Sequence, residues 1–243
     1  MKSRSSHSKP LAYAVYQELA EHYAAAIDTK PHNAYYERPA MIAMWPDLRD
    51  KRVLDAGCGP GVYAELLLAR GAKITAVDVS DRMLELARNR VGKDVDFRLV
   101  DLTQPLVMFP NKTFDFINAP LCLDYIEDWR SLFAEFKRIL KPGGLFQFSC
   151  GHPAFDAEYY DTNKYFSIEQ VKCTWRGFGK VVVMPSYRRS LQEMLMPLME
   201  TGLALEKLVE PLPTEEFRQS DPKRFQSLMH RPSFLCIQAK RPS

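Results

Sequence analysis

Short apolar runs alternate with amphipathic runs along this chain, and the alternation predicts an α/β fold. The run at 52–54 favours a buried parallel strand, and the amphipathic run at 62–70 favours a helix that Gly71 ends. Residues 73–77 form a second predicted strand, which ends at Asp78. These segments make one βαβ unit, so we expect both strand ends at the edge of the sheet where ligands bind in such folds.

The same alternation continues towards the end of the chain. It predicts strands at 96–100, 114–119, 145–150, 203–209 and 233–239, and helices at 82–91, 126–140 and 191–200. Two further helices, at 11–27 and 38–44, precede the first strand. The length of 243 residues suits one domain at 11–243 with an elaboration, after a disordered arm at 1–10.

The segment 151–189 follows neither the helical nor the strand period. It is dense in Phe, Tyr and Trp, and only a short strand at 180–184 is predicted within it. We expect this segment to form a cap over the active site. The alternative is an insertion whose rings pack on the sheet.

A glycine turn lies between the first strand and the helix that follows it. The turn has Gly57, Gly59 and Gly61 in a G-x-G-x-G spacing. Glycines allow a ligand to approach the backbone, and the helix N-terminus offers free N–H groups. A dinucleotide fingerprint requires its third glycine at position 62, which is Val62, so a nicotinamide oxidoreductase is disfavoured.

Two acids accompany the glycine turn. Asp55 precedes the first glycine, where a carboxylate can meet the cationic end of an amino acid. Asp78 follows the second strand, where it can accept hydrogen bonds from both ribose hydroxyls. With these acids and the G-x-G-x-G turn, the chain resembles the class I S-adenosylmethionine-dependent methyltransferases. Within them it is closest to the small-molecule group that includes the ubiquinone and menaquinone C-methylases.

The resemblance implies a three-layer, Rossmann-like α/β fold. Its sheet has seven strands in the order 3-2-1-4-5-7-6, with the last strand antiparallel. The N-terminal helices at 11–46 are expected to fold over the cofactor. Leu-Lys-Pro-Gly-Gly at 140–144 matches the pattern before the fifth strand, where it is expected to stop a helix and form a tight turn.

The resemblance also implies S-adenosylmethionine as cofactor and S-adenosylhomocysteine as product. Asp101, after the third strand, matches the family's acid for the adenine amino group. The full set of expected cofactor-binding residues is Tyr23, Arg38, Asp55, Ala56, Gly57, Gly59, Gly61, Asp78, Val79, Met83, Asp101, Leu102, Asn118 and Ala119.

Candidate catalytic groups follow the fourth and fifth strands. His152 is the histidine best placed to act as a general base, and Asp124 and Tyr125 are second. Tyr35, His152 and Tyr187 are candidate substrate-binding residues. The aromatic segment favours a small, partly apolar acceptor, whose acceptor atom the sequence leaves open as oxygen, nitrogen or carbon. A non-catalytic S-adenosylmethionine sensor or interaction protein is the alternative function.

Composition narrows the choice of partners. A net charge of +3 is too small to argue for a nucleic acid partner. Asn118-Ala119-Pro120-Leu121 also lacks the second proline and the aromatic ring used by nucleic-acid amino-methyltransferases. Five dispersed cysteines favour a reduced, cytoplasmic protein, and no apolar run suits a membrane span. No metal site is expected, and the oligomeric state is left open.

Overall fold

The central sheet has the predicted strand order. The computed structural model describes residues 9–243, and residues 1–8 of the expected arm lie outside that range. Its strands are β1 (Arg52–Ala56), β2 (Lys73–Asp78), β3 (Asp96–Leu99), β4 (Phe114–Pro120), β5 (Leu140–Gly151), β6 (Glu169–Trp175), β7 (Val182–Arg188), β8 (Ala204–Val209) and β9 (Phe234–Lys240). Seven of them form one sheet in the order β3-β2-β1-β4-β5-β9-β8, with β9 antiparallel to both neighbours. Since β6 and β7 form a separate hairpin, this is the expected order, and the Rossmann-like fold is confirmed.

Helices cover both faces of the sheet. They are α1 (Tyr13–Ala26), α2 (Arg38–Ala43), α3 (Val62–Leu68), α4 (Asp81–Val91), α5 (Trp129–Ile139), α6 (Pro153–Tyr159), α7 (Leu191–Thr201), α8 (Glu215–Ser220) and α9 (Pro222–Leu228). Neighbouring residues of β1 point to opposite faces, as the pleat requires. Val53 belongs to the core with α3 and α4, and Leu54 belongs to the core with α5 and α7. The result is a three-layer sandwich with both faces of the sheet buried.

Strand β5 starts earlier than expected. The sequence predicts a helix stop and a tight turn at 141–144, but β5 already begins at Leu140, directly after α5. The Lys141 ammonium binds the Asp115 carboxylate of β4 at 2.8 Å, and Gly143 donates its N–H to the Arg241 carbonyl at 2.9 Å. These contacts draw the four residues into the sheet, and the pairing of β4 and β5 shifts register between Phe114 and Phe116.

The 151–189 segment contains α6 and the β6–β7 hairpin. Only the part of β7 at 182–184 coincides with the predicted strand, and β6 was not predicted. The hairpin packs on α1, where Phe178 and Val182 share a buried cluster with Leu19. At the base of the hairpin, Arg188 of β7 binds the carboxylate of Glu169, the first residue of β6. It also donates to the carbonyl of Lys164 in the loop that precedes the hairpin.

The N-terminal segment adds a feature that the sequence did not predict. A five-residue π-helix at Asn33–Glu37 leads directly into α2. Its wide turn places Glu37 almost fully out of solvent, at 1% exposure. Such π-helical turns are often found at functional sites.

Within residues 9–243, no helix is both long enough and apolar enough to cross a bilayer.

Candidate active site

The three glycines of the turn have different neighbours. All three have positive φ, at +70° for Gly57, +52° for Gly59 and +87° for Gly61. A Cβ on Gly57 would lie 2.4 Å from the Cβ of Cys122, and one on Gly61 would lie 3.0 Å from the Cβ of Ala87. A Cβ on Gly59 meets no atom within 4 Å. Packing against the protein therefore accounts for Gly57 and Gly61, whereas Gly59 presents bare backbone to open space.

Asp78 holds the glycine turn in place. One carboxylate oxygen accepts the N–H of Gly59 at 2.9 Å, and the other accepts the N–H of Ser80 at 2.8 Å. Burial raises the pKa of Asp78, and the hydrogen bonds from Ser80 and Gly59 oppose that rise. Each carboxylate oxygen has two lone pairs, so Asp78 retains acceptor capacity for the hydroxyls of a ligand.

Asp55 and Asn118 lie behind the turn rather than on a cavity wall. The Asn118 amide donates to Oδ1 of Asp55 at 3.0 Å, and Oδ2 of Asp55 is buried without a partner. Burial raises the pKa of Asp55 to about 7. Ala56 and Ala119, on the same two strands, are also fully buried. The unpartnered oxygen leaves a buried acceptor near the end of β1, two residues before Gly57.

The first cavity, called the cofactor cleft below, runs along the ends of β1, β2 and β3. Eight residues of the expected set lie on its walls, namely Tyr23, Gly57, Gly59, Asp78, Val79, Met83, Asp101 and Leu102. Oδ1 of Asp101 accepts the N–H of Thr103 at 2.9 Å and its hydroxyl at 2.7 Å, which fixes the carboxylate in a turn. The structure thus brings together the expected binding groups of three consecutive strands.

A small side pocket continues the cleft past Gly59, and Arg38 and Glu37 line it. Arg38 donates from Nη2 to the Ile27 carbonyl at 2.9 Å, and its Nε is buried without a partner. Glu37 accepts the hydroxyl of Tyr63 at 2.9 Å and that of Ser149 at 2.5 Å, and burial raises its pKa to about 7. A cation and an acid therefore stand side by side next to the glycine turn.

The second cavity, called the acceptor cavity below, has a volume of about 570 Å³ and lies under the β6–β7 hairpin. Its walls are rich in aromatic rings, from Phe155, Tyr159, Tyr160, Trp175, Phe178 and Tyr187. Three acids, Asp124, Asp156 and Asp221, also line it. Oδ2 of Asp124 accepts the N–H of Gly151 at 3.0 Å. Burial raises the pKa of Asp124 to about 6, and burial followed by repulsion from Asp124 raises that of Asp156 to about 7.

Four residues line both cavities, namely Tyr16, Tyr23, Leu121 and Tyr125. We call this junction the neck. The hydroxyls of Tyr16 and Tyr125 lie 2.7 Å apart, and burial keeps both phenols neutral by raising their pKa values. Leu121 has a left-handed φ of +48°, stabilised by hydrogen bonds from its N–H to the carbonyl and hydroxyl oxygens of Ser149. Tyr16 and Leu121 were not identified from the sequence.

The structure does not bring His152 to either cavity. Nδ1 of His152 accepts the N–H of Ala154 at 3.2 Å, which caps α6, and Nε2 bonds the Glu210 carboxylate at 2.8 Å. Both ring nitrogens therefore have structural partners. Tyr35 also lies away from the acceptor cavity and packs in a cluster with Tyr36 and Phe217. Of the three expected substrate-binding residues, Tyr187 alone lines that cavity.

No group of three or more His, Cys, Asp or Glu side chains in residues 9–243 is arranged to hold a metal ion. The cavities offer hydrogen-bonding groups, buried acids and aromatic surface.

Comparison with known proteins identifies this arrangement. A family model described as a methyltransferase domain matches residues 54–148. An uncharacterized protein of Haemophilus influenzae is 28% identical over 226 residues, which cover 86% of this chain and 88% of that protein. The ubiquinone biosynthesis O-methyltransferase of Thiobacillus denitrificans is 36% identical over 112 residues, or 43% of this chain and 48% of the enzyme.

A solved structure extends the likeness to most of the chain. An S-adenosylmethionine-dependent methyltransferase of Mesorhizobium loti is 26% identical, with a TM-score of 0.69 over 84% of this chain and 97% of that protein. The glycine turn, the acids at three strand ends and the seven-stranded sheet occur together here. Residues 54–148 form a methyltransferase domain, most of the chain is similar to S-adenosylmethionine-dependent methyltransferases, and S-adenosylmethionine is its cofactor.

Proposed function

We propose that this enzyme methylates a small, partly apolar molecule that binds in the acceptor cavity. The observation that carries the proposal is the neck, where Tyr16, Tyr23, Leu121 and Tyr125 line both cavities. A volume of about 570 Å³ lies within the usual range for small-molecule pockets, and aromatic walls suit an apolar body. A nucleic acid would instead need an open, basic track for its phosphate backbone.

The residues of the cofactor cleft fit S-adenosylmethionine. Asp101 supports the adenine amino group, Asp78 accepts from the ribose hydroxyls, and the bare backbone at Gly59 allows close approach. Arg38 and Glu37 complement the carboxylate and ammonium of the amino-acid end, and the unpartnered oxygen of Asp55, two residues before Gly57, is a further acceptor. When bound, S-adenosylmethionine supplies a methyl group on a positively charged sulfur.

We assign the role of general base to Asp124. Its pKa of about 6 leaves the carboxylate mostly ionised near pH 7, so it can take a proton from an acceptor hydroxyl or amine. Asp156 shares the cavity, and a proton gained by Asp124 relieves the repulsion between the two acids. The neck residues orient the acceptor and exclude water.

The named relatives support a small acceptor without identifying it. The ubiquinone biosynthesis enzyme shares about half its length with this chain. The family model ends at residue 148, before the β6–β7 hairpin that covers the acceptor cavity. The acceptor therefore has to be found by experiment.

The test is methyl transfer from radiolabelled S-adenosylmethionine to four fractions of a bacterial extract: small metabolites, RNA, DNA and protein. We expect label in the small metabolites with the wild-type protein. The Asp78→Ala variant loses a charged acceptor worth about 1.5–3 kcal/mol, so it should give little label at limiting cofactor. Strong labelling of a polymer that is absent with Asp78→Ala would refute the proposal.

A further inference from the structure

The outer part of the acceptor cavity carries three cations from three different segments. Lys30 follows α1, Arg176 follows β6 in the hairpin turn, and Arg224 lies on α9. Arg176 and Arg224 are exposed, and Lys30 is half-buried. None of the three forms an ion pair within residues 9–243, although many other arginines of the chain do. We call these three residues the cationic mouth.

The cations of the mouth are close enough to affect one another. Burial and the charge of Arg224 lower the pKa of Lys30. Burial, then Arg224, then Lys30 lower the pKa of the neighbouring His32 to about 4, so His32 is neutral near pH 7. Lys30 donates to the Gly177 carbonyl at 3.0 Å, which links the segment after α1 to the hairpin turn.

One acid also lines the mouth. Asp221 caps α9 by accepting the backbone N–H of Arg224 at 3.0 Å. It leaves a surplus of two positive charges among the four charged residues of the mouth. The opposite sign is carried by two half-buried acids of the same cavity, Asp124 after β4 and Asp156 on α6. The acceptor cavity is therefore polarised, with positive charge at the exposed end and carboxyl groups at the inner end.

We propose that the acceptor carries an anionic group, a carboxylate or a phosphate, that binds at the cationic mouth. Its apolar body lies among the aromatic rings, and its nucleophilic atom reaches Asp124 beside the neck. This inference rests on the proposed function, which places the nucleophilic atom of the acceptor at the neck. An anion entering with its charge first would meet Asp124 and Asp156, so charge alone orients the acceptor.

The test compares two fluorescent probes with the same aromatic body. Anilinonaphthalene sulfonate carries an anion, and N-phenylnaphthylamine is neutral. Fluorescence titrations use protein saturated with S-adenosylhomocysteine, so that the cofactor cleft is filled. The triple variant Lys30→Gln, Arg176→Gln, Arg224→Gln should bind the sulfonate about tenfold more weakly, because three charge-assisted contacts are lost. The neutral probe should bind both proteins equally.

A matched variant controls for net charge. Arg49, Lys93 and Lys207 are exposed cations that lie outside the acceptor cavity, and changing all three to Gln removes the same charge. This control should retain wild-type affinity for the sulfonate. Equal weakening in the two variants, no weakening in either, or no binding of the sulfonate to the wild type would each overturn the inference.

Competition distinguishes the two kinds of anion. Octyl phosphate, octanoate and octanol share one chain length and are added to displace the sulfonate probe. The stronger competitor of octyl phosphate and octanoate shows whether the mouth prefers a phosphate or a carboxylate. Octanol, which is neutral, should compete poorly. Equal displacement by octanol would overturn the inference.

The proposed function has a separate readout. S-adenosylhomocysteine affinity, measured by calorimetry, should be the same for the wild type and for the mouth variant. If S-adenosylhomocysteine does not bind, the assignment of the cofactor cleft is contradicted. The probe titrations, repeated without S-adenosylhomocysteine, would still test whether the cationic mouth binds an anion.

Discussion

Arg38 and Glu37 are the residues that we expect to bind the amino-acid end of the cofactor and not its adenosine. They lie together in the side pocket past Gly59, away from Asp101 at the end of β3. An arginine beside a carboxyl group complements an amino acid, whereas adenosine needs neither charge. We therefore predict that different residues recognise the two halves of the cofactor, and ligands that lack one half can test each set.

Replacing Arg38 with Met should weaken S-adenosylhomocysteine but not methylthioadenosine, which lacks the amino-acid group. The loss of one charge-assisted contact predicts about 1.5–3 kcal/mol, measured by calorimetric titration of both ligands. Asp78→Asn is the matched control and should weaken both ligands, because both contain the ribose. If Arg38→Met weakens both ligands equally, the side pocket does not hold the amino-acid end.

The position of a residue was predictable from sequence where the residue directly follows a strand of the sheet. Gly59, Asp78 and Asp101 lie on the cleft because the carboxyl ends of β1, β2 and β3 meet there. His152 also follows a strand end, but Pro153 comes next and occupies the first turn of α6. A residue before such a proline is in the position of a helix cap, which was the signal against a catalytic role. Glu37 gave no signal, since its burial depends on the π-helix.

Helix α1 is the element that closes the cofactor cleft, through Tyr16 and Tyr23. Gln17 attaches α1 to the start of α4: its Oε1 accepts the Ser80 hydroxyl at 2.7 Å, and its amide donates to Asp81. The hairpin packs on the other side of α1, where Phe178 stacks on Tyr23 with ring centres 4.9 Å apart. The helix thus connects the walls of the two cavities.

The variant Gln17→Ala should release S-adenosylhomocysteine at least about fivefold faster, because α1 loses its attachment beside the cleft. Stopped-flow dissociation is the measurement. Glu21→Gln, on the same helix, removes an exposed ion pair with Arg82 and should change the rate little. Equal rates for Gln17→Ala and the wild type would show that α1 does not control cofactor release.

Helices and strands were predictable where their apolar residues clearly repeat with the helical or the strand period. Helix α5 shows the apolar stripe of Trp129, Leu132, Phe133 and Phe136, all of which are buried. Strand β6 does alternate, with Val171, Cys173 and Trp175 half-buried between exposed polar residues, but this short run was hidden by the irregular spacing of the aromatic residues around it. The π-helix depends on a hydrogen-bonding register that hydrophobic spacing does not encode.

On the scale of the whole molecule, four acids that are wholly or partly buried surround the glycine turn and the acceptor cavity. Glu37, Asp55, Asp124 and Asp156 all have pKa values raised by burial, to between about 6 and about 7. A carboxyl group with a raised pKa holds its proton more tightly in the folded state. Its stabilising effect is therefore complete below the unfolded pKa and is lost as the pH rises through the folded value.

Glu37→Gln should flatten this pH dependence. The pKa of Glu37 rises from 4.5 to about 7, so the wild type should lose about 3 kcal/mol of unfolding free energy relative to the variant between pH 4 and pH 8. Urea unfolding of the cofactor-free protein at each pH measures the difference. Glu206→Gln, on exposed strand β8, should keep the wild-type slope. A parallel slope for Glu37→Gln would show that burial does not raise the pKa of Glu37 in the folded protein.

The central claim is that the two cavities meet at the neck and that the methyl group passes there. A crystal structure of the complex with S-adenosylhomocysteine tests it most directly. The account predicts adenine beside Asp101, the ribose on Asp78, the amino-acid end beside Arg38, and the sulfur at the neck facing the acceptor cavity. A sulfur atom that faces away from Tyr16, Leu121 and Tyr125 would contradict it.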